Sequence, residues 1–292
     1  MTEPTAIQYI LKPHERDLGG FSVRRLLPSL PKQAVGPFIF FDHMGPAVMP
    51  AGTGMDVRAH PHVGLATVTY LFEGAILHRD SLGSVQEIRP GDINWMTAGR
   101  GIVHSERTPE ALRQADQRVH GIQTWFALPS VNEDDEPGFW HYPAVDLPVI
   151  DAPGVQLRVL IGTAWGETSP VRAYGDTLYV AIEAENGASL EIPAEHAERG
   201  LYVASGEVEI EGQVLRGGQL VVFMPGMAAN LSMRADSRLL LLGGEPLDGP
   251  RYIWWNFVAT SKERIEAAKQ RWQADEFPHV PGETERIPLP ER

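Results

Sequence analysis

Ala66-Thr-Val-Thr-Tyr-Leu-Phe72 is a run of β-branched and aromatic residues closed by Glu73 and Gly74. Its composition and length are those of a buried strand, and Gly74 supplies the turn that ends it. Similar runs lie around it. Residues 38–41 are apolar, residues 75–80 and 85–89 are bounded by Gly or Pro, and residues 123–128 stop at Pro129. The chain has 292 residues with 29 glycines and 24 prolines. Many short strands joined by such punctuation predict an all-β sandwich or barrel.

The pattern occurs twice. Residues 156–161, 177–183, 201–205, 208–211, 219–224 and 239–242 also read as strands, and Val208-Glu-Ile-Glu211 alternates as a half-exposed strand should. Tyr70-Leu-Phe-Glu-Gly74 is matched by Tyr202-Val-Ala-Ser-Gly206, and Ile88-Arg-Pro-Gly91 by Leu215-Arg-Gly-Gly218. Met96-Thr-Ala-Gly99 is matched by Phe223-Met-Pro-Gly226. Three matches in one order favour a duplicated unit. The expected division is 1–145 and 146–292. The acidic stretch over residues 131–143, containing Asn132-Glu-Asp-Asp-Glu-Pro137, is expected as a solvated loop near the connection. One helix is expected at about 261–274. Thr260 and Glu263 have capping-box spacing, and Ile265, Ala268 and Trp272 share a face. The tail from Phe277 carries four prolines and reads as extended.

Composition narrows the chemistry. Cysteine is absent, which excludes disulfides and thiolate sites, so a metal must be held by nitrogen and oxygen. The formal net charge of −13 argues against direct nucleic-acid binding through phosphates and speaks to solubility. Residues 1–10 show no basic start followed by an apolar run, and no segment is long and apolar enough to suggest a membrane span. The expected location is cytoplasmic.

Arg58-Ala-His60-Pro-His62-Val-Gly64 and Gly99-Arg-Gly-Ile-Val-His104-Ser-Glu106 carry the chemistry. Residues i and i+2 of a strand share a face, so His60 with His62, and His104 with Glu106, can point inward from two strands. Three imidazole nitrogens and one carboxylate suit a divalent transition ion. Among ten histidines a single His-x-His means little, and lone strand histidines are often merely packed. Two such pairs with Gly-rich flanks outweigh that reading. Projected through the repeat, His104 and Glu106 fall on Leu231 and Met233, and His60 and His62 on Ile192 and Ala194. Only the first copy is then expected to keep a metal.

Gly54, His60-Pro-His62 and Gly74 resemble the first cupin motif, with Ala66 or Thr67 where that motif usually has Glu. Gly99, Gly101 and His104 resemble the second, with Gly99 where Pro is usual. Both departures match the pirin branch, in which the carboxylate ligand stands two residues after the histidine of the second motif, as Glu106 does. Thr67-Val-Thr-Tyr70, His78-Arg-Asp-Ser81 and Trp95-Met-Thr-Ala-Gly-Arg-Gly-Ile-Val-His-Ser-Glu106 are similar to pirins, as are Phe41-Asp-His-Met-Gly-Pro46 and His120-Gly-Ile-Gln123. The resemblance is specific over about residues 18–128 and looser beyond, where Trp255-Asn-Phe-Val258 and the helix after it are also familiar.

The resemblance implies two cupin jelly-roll barrels, with one iron(II) in the first. Some members oxidise the flavonol quercetin with dioxygen, and animal members are transcription cofactors responsive to iron oxidation state. Three readings follow. One is an iron-dependent dioxygenase that opens the central ring of a flavonol and releases carbon monoxide, with Glu106 as both ligand and proton acceptor. Another is a non-enzymatic iron-binding regulator that docks on a protein partner. The third is a structural metal that braces the barrel. Other residues stay open: Asp42 and His43 between site and turn, and His78 between the site and a surface ion pair with Asp80. Arg100 reads as a loop residue, His120 as structural, and Trp95 and Met96 as core.

Overall fold

The computed structural model describes residues 5–17 and 21–291. Residues 1–4, within the stretch read for a leader, lie outside the described residues, as do 18–20, where the resemblance begins, and the last residue of the second expected domain. The described chain is mostly β, with one α-helix, and forms two cupin-type units.

The units are not the sequential halves 1–145 and 146–292. One comprises Met1–Arg16, Arg24–Asp42 and Val145–Pro246; the other comprises Asp17–Val23, His43–Ala144 and Leu247–Arg292. The exchange of ends has a packing cause. In the second of these units, Ala59 and Val103 of the strands Asp56–His62 and Ile102–Arg107, with Val63 just after the first, share one apolar cluster. That apolar surface needs a cover, and Ile265, Ala268 and Trp272 of the C-terminal helix supply it, with Phe257, Phe277 and Val280.

This unit, which carries the histidine pairs, has a four-stranded antiparallel sheet in the order Asp56–His62, Ile102–Arg107, Ile76–Asp80, Val85–Ile88. A second sheet runs Gly138–Tyr142, Ile93–Thr97, Leu65–Glu73, Gln117–Ala127. The stretch quoted first is its centre, buried from Leu65 to Leu71. Met44, Met55, Leu71, Ile76 and Ile88 form part of an apolar cluster within this unit.

The other unit repeats the arrangement. Its four-stranded sheet runs Ser189–Ile192, Ala229–Met233, Glu207–Ile210, Gln213–Arg216. Leu231 faces Leu190 and Ile210 in register, as His104 faces His60 and Asp80. The projection of His60 onto Ile192 is therefore displaced by two residues, and Ala194 lies beyond the strand. Ile192, Val208, Ile210, Leu231 and Met233 all belong to an apolar core.

The helix Lys262–Gln273 starts one residue later than the capping-box spacing predicts. Its N-cap is Ser261, whose Oγ accepts from the amide of Arg264 at 3.4 Å. Thr260 is engaged elsewhere: its amide and its hydroxyl both donate to Glu133, at 2.7 Å each. Glu133 is thereby buried, and Arg264 pairs with Asp134. The acidic stretch is thus not simply a solvated loop, since it anchors the helix and then continues as the strand Gly138–Tyr142 on Ile93–Thr97.

Candidate metal centre

His60 stands directly opposite His104 in the pairing of Asp56–His62 with Ile102–Arg107. The register shifts between His104 and Glu106, where Val57 and not Arg58 is the next partner, so Arg58 and Ala59 form a bulge. Bulges re-aim side chains beside functional sites, and here the carbonyl of Arg58 receives the Nδ1–H of His60 at 2.8 Å. His62 gives its Nδ1–H to the carbonyl of Asn256 at 3.1 Å. A carbonyl only accepts, so both rings carry their proton on Nδ1 and present a bare Nε2.

The ligand atoms of His60, His62 and His104 lie within 4.8 Å of one another, and the three residues are 6%, 1% and 1% exposed. His62 Nε2 and His104 Nε2 are 3.1 Å apart. Two nitrogens bound at right angles to one ion, each about 2.1 Å from it, would be separated by about 3.0 Å. Burial holds all three imidazoles neutral: it brings the pKa of His60 down to about 4 and those of His62 and His104 well below the ordinary histidine value, and neighbouring imidazoles add to it. Neutral, converging nitrogens with their other faces fixed are what a metal requires. The donor set fits a divalent transition ion.

Glu106 shares the strand but not the tight group. Its Oε1 accepts from Gln123 Nε2 at 3.3 Å, and Thr69 Oγ1 donates to Gln123 Oε1 at 2.6 Å, which fixes the amide with its nitrogen toward Glu106. Although only half-buried at its surface, Glu106 is closely surrounded, and burial pushes its pKa up to about 7, against the pull of Gln123. Neither Gln123 nor Thr69 stands out as a site residue from sequence alone. The signal lay in register, since they face each other across adjacent strands.

Behind His104 lies a buried chain of polar groups. His104 Nδ1 and His78 Nδ1 are 3.4 Å apart, and His78 Nε2 donates to Asp80 Oδ2 at 2.9 Å. Phe139 stacks on His78 at 4.2 Å between centroids. His78 and Asp80 are 4% and 0% exposed, so their contact is no surface ion pair. His43 and His120 meet through their Nε2 atoms at 2.7 Å, buried and away from the trio. Asp42 pairs with Arg25, and Arg100 pairs with Glu136 in its loop. Trp95 and Met96 are core.

Residues 20–126 match the Pirin family model, and residues 179–278 match the model of the Pirin C-terminal cupin domain. The chain is 46% identical to a pirin-like protein of Caulobacter vibrioides, over 98% of this chain and all of that one. The chain belongs to the pirin family. Among pirin relatives, a Pseudomonas aeruginosa protein with a provisional quercetin 2,3-dioxygenase name is 39% identical over 87% of this chain and 80% of its own. The crystal structure of a quercetin 2,3-dioxygenase from Acinetobacter baumannii superposes with a TM-score of 0.91 at 36% identity, covering 97% and 95% of the two chains.

Proposed function

We propose that this pirin-family chain holds one iron(II) ion through His60, His62, His104 and Glu106 and acts as a dioxygenase that opens the central ring of quercetin or a related flavonol. The observation that carries the proposal is the convergence of three buried, neutral imidazoles beside a carboxyl lifted to about 7. The dioxygenase names of the Pseudomonas and Acinetobacter relatives support the reaction class.

An ion in this site would act as a Lewis acid, lowering the pKa of a flavonol hydroxyl that coordinates it. His60 and His62, each anchored by a carbonyl on Nδ1, hold the donor geometry. Glu106, on the same strand as His104, would give a fourth donor and accept the 3-hydroxyl proton. Burial raises the pKa of this carboxyl in the metal-free site; an ion would displace its proton and leave the carboxylate as the base. Gln123, locked by Thr69, donates to the carboxylate and orients it. Trp125 meets His62 edge-on and walls that side of the site with apolar surface.

A second reading is a non-enzymatic, iron-binding regulator that docks on a protein partner, and the depth of the trio favours it. None of the three imidazoles is more than 6% exposed, which suits a resident ion. Among the described residues no helix is long and apolar enough to cross a membrane.

The test is anaerobic iron loading followed by quercetin and dioxygen, with carbon monoxide detected. Turnover that disappears in His62→Ala supports the dioxygenase. Wild-type protein that is iron-loaded yet inert toward flavonols moves the regulator ahead.

A further inference from the structure

We infer that Asn94 and His141 are specificity-determining residues that hydrogen-bond the hydroxyls of a polyphenolic substrate on a ring remote from the metal. This deepens the flavonol reading above and rests on it.

Four polar residues stand in one row across the second sheet of the histidine-bearing unit. Gln123 is directly opposite Thr69, Thr69 opposite Asn94, and Asn94 opposite His141. Directly opposed residues share a face of the sheet. That face is the inner one. Trp125, two positions from Gln123, meets His62, and Phe139, two positions from His141, stacks on His78. The row therefore begins at Gln123, which donates to Glu106, and ends on the edge strand Gly138–Tyr142.

The other unit supplies an internal comparison. Matching Tyr70 with Tyr202 and Met96 with Phe223 puts Thr69 on Leu201 and Asn94 on Val221. Leu201 is opposite both Leu241 and Val221, and Val221 is opposite Ile10. The same row is thus Leu241, Leu201, Val221 and Ile10; the first three lie in the apolar core and Ile10 packs against it. Packing alone is met by apolar side chains in this row, and burying polar ones costs free energy unless they are hydrogen-bonded. Polarity here accompanies the imidazoles.

Asn94 is 5% exposed, and among the described residues its side chain bonds only to His141, Oδ1 to Nδ1 at 2.7 Å. An amide has a donor end and an acceptor end, so one end is left over whichever way the group is turned. His141 Nε2 lies 3.8 Å from Asp92 Oδ2, too long for a hydrogen bond. Both residues thus keep a polar atom for a ligand on the inner face. Phe139 and His141 are half-buried whereas the histidine trio is buried, so the edge strand is where a ligand gains that face. Two strand spacings, about 10 Å, separate Gln123 from Asn94. A ligand held at the trio reaches Asn94 only through a further ring, and Trp125 and Phe139 offer that flat body apolar walls.

The test uses quercetin and 3-hydroxyflavone, which keeps the 3-hydroxyl and 4-carbonyl but has no hydroxyl on its outer rings. Binding to the full chain loaded with Co(II) is measured without dioxygen, by quenching of tryptophan fluorescence. Wild type should bind quercetin at least about tenfold more tightly than 3-hydroxyflavone, as two added hydrogen bonds would give. That preference should fall below about threefold in Asn94→Leu and in His141→Phe, with Co(II) content retained. His141 is on an edge strand and half-buried, so its variant carries the test if Asn94→Leu does not fold. Wild type that binds neither flavonol, or both equally, overturns the inference, as does a preference retained in the folded variants. Turnover with Fe(II) and dioxygen is read alongside. A quercetin preference in binding without turnover of either flavonol leaves the inference standing and counts against the dioxygenase; turnover without a preference does the reverse.

Discussion

The amide of Ile287 donates to the carbonyl of Ala59 at 2.8 Å, and Ala59 is the residue before His60. The C-terminal tail thus grips the bulge that aims the first ligand. Four residues earlier, Glu283 accepts from Ser105 Oγ at 2.8 Å and from Arg107 Nε and Nη2 at 2.9 and 2.6 Å. Ser105 and Arg107 flank Glu106, so both metal-site strands are held from outside by the same segment.

Glu283→Ala should therefore loosen the site without touching it. The expected result is several-fold weaker metal binding with the fold retained, read by titration and circular dichroism. The wild-type latch should also release in acid. Hydrogen bonding from Arg107 holds the Glu283 carboxyl below the ordinary glutamate value. Its contribution is complete above that ordinary value and is lost as pH falls through the lowered one. Hydrogen exchange of the Ile287 amide should accelerate over that acid range. An exchange rate indifferent to both acid and Glu283→Ala would remove the latch.

Metal uptake should itself depend on pH, through one proton. His60 is already unprotonated above about 4, whereas Glu106 holds its proton to about 7. A cation that recruits Glu106 must displace that proton. Apparent affinity should climb about tenfold per pH unit from about pH 5 to 7 and then level. Glu106→Gln should flatten the climb. Calorimetric titrations across this interval decide the point, and equal slopes in the two proteins would mean that Glu106 is not a donor.

Trp272 is 4% exposed, meets Phe277 edge-on and Trp255 at a tilt, and donates from Nε1 to the carbonyl of Ile287 at 3.0 Å. Trp272→Ala should cost about 3–5 kcal/mol in unfolding free energy. Because its cluster covers Ala59 and Val103, metal affinity should fall as well. A loss of under about 1 kcal/mol would contradict this packing.

Stoichiometry should be one metal per chain. Where one sheet brings His60 and His104 together, the other unit pairs Leu190 with Leu231. Elemental analysis should return a value near one for wild type and near zero for His104→Ala. A value near two would point to donors in the second unit.

Strand content and the histidine pairs were legible because β-branched runs and i, i+2 spacing are local properties. Residues 66–72 became Leu65–Glu73 and residues 85–89 became Val85–Ile88. What the sequence hid was long-range. The helix and tail pack on strands some 160 to 230 positions earlier in the chain, which no local pattern reveals. Thr260 looked like a cap until Glu133 claimed it. The bulge at Arg58–Ala59 follows from pairing, and projection through the repeat missed by two residues because strand register is not written in turn spacing. His78 and Asp80 share a strand face by their spacing, but only the fold brings them behind His104.

In the proposed reaction Glu106 is the proton acceptor of an iron-dependent flavonol oxidation. The most direct measurement is the steady-state rate of quercetin oxidation per bound iron, for wild type and Glu106→Gln at one pH, with carbon monoxide measured alongside. The variant should retain some iron while its iron-normalised rate falls by about a hundred- to ten-thousand-fold. A fall of less than about threefold would contradict it and leave Glu106 no more than a ligand.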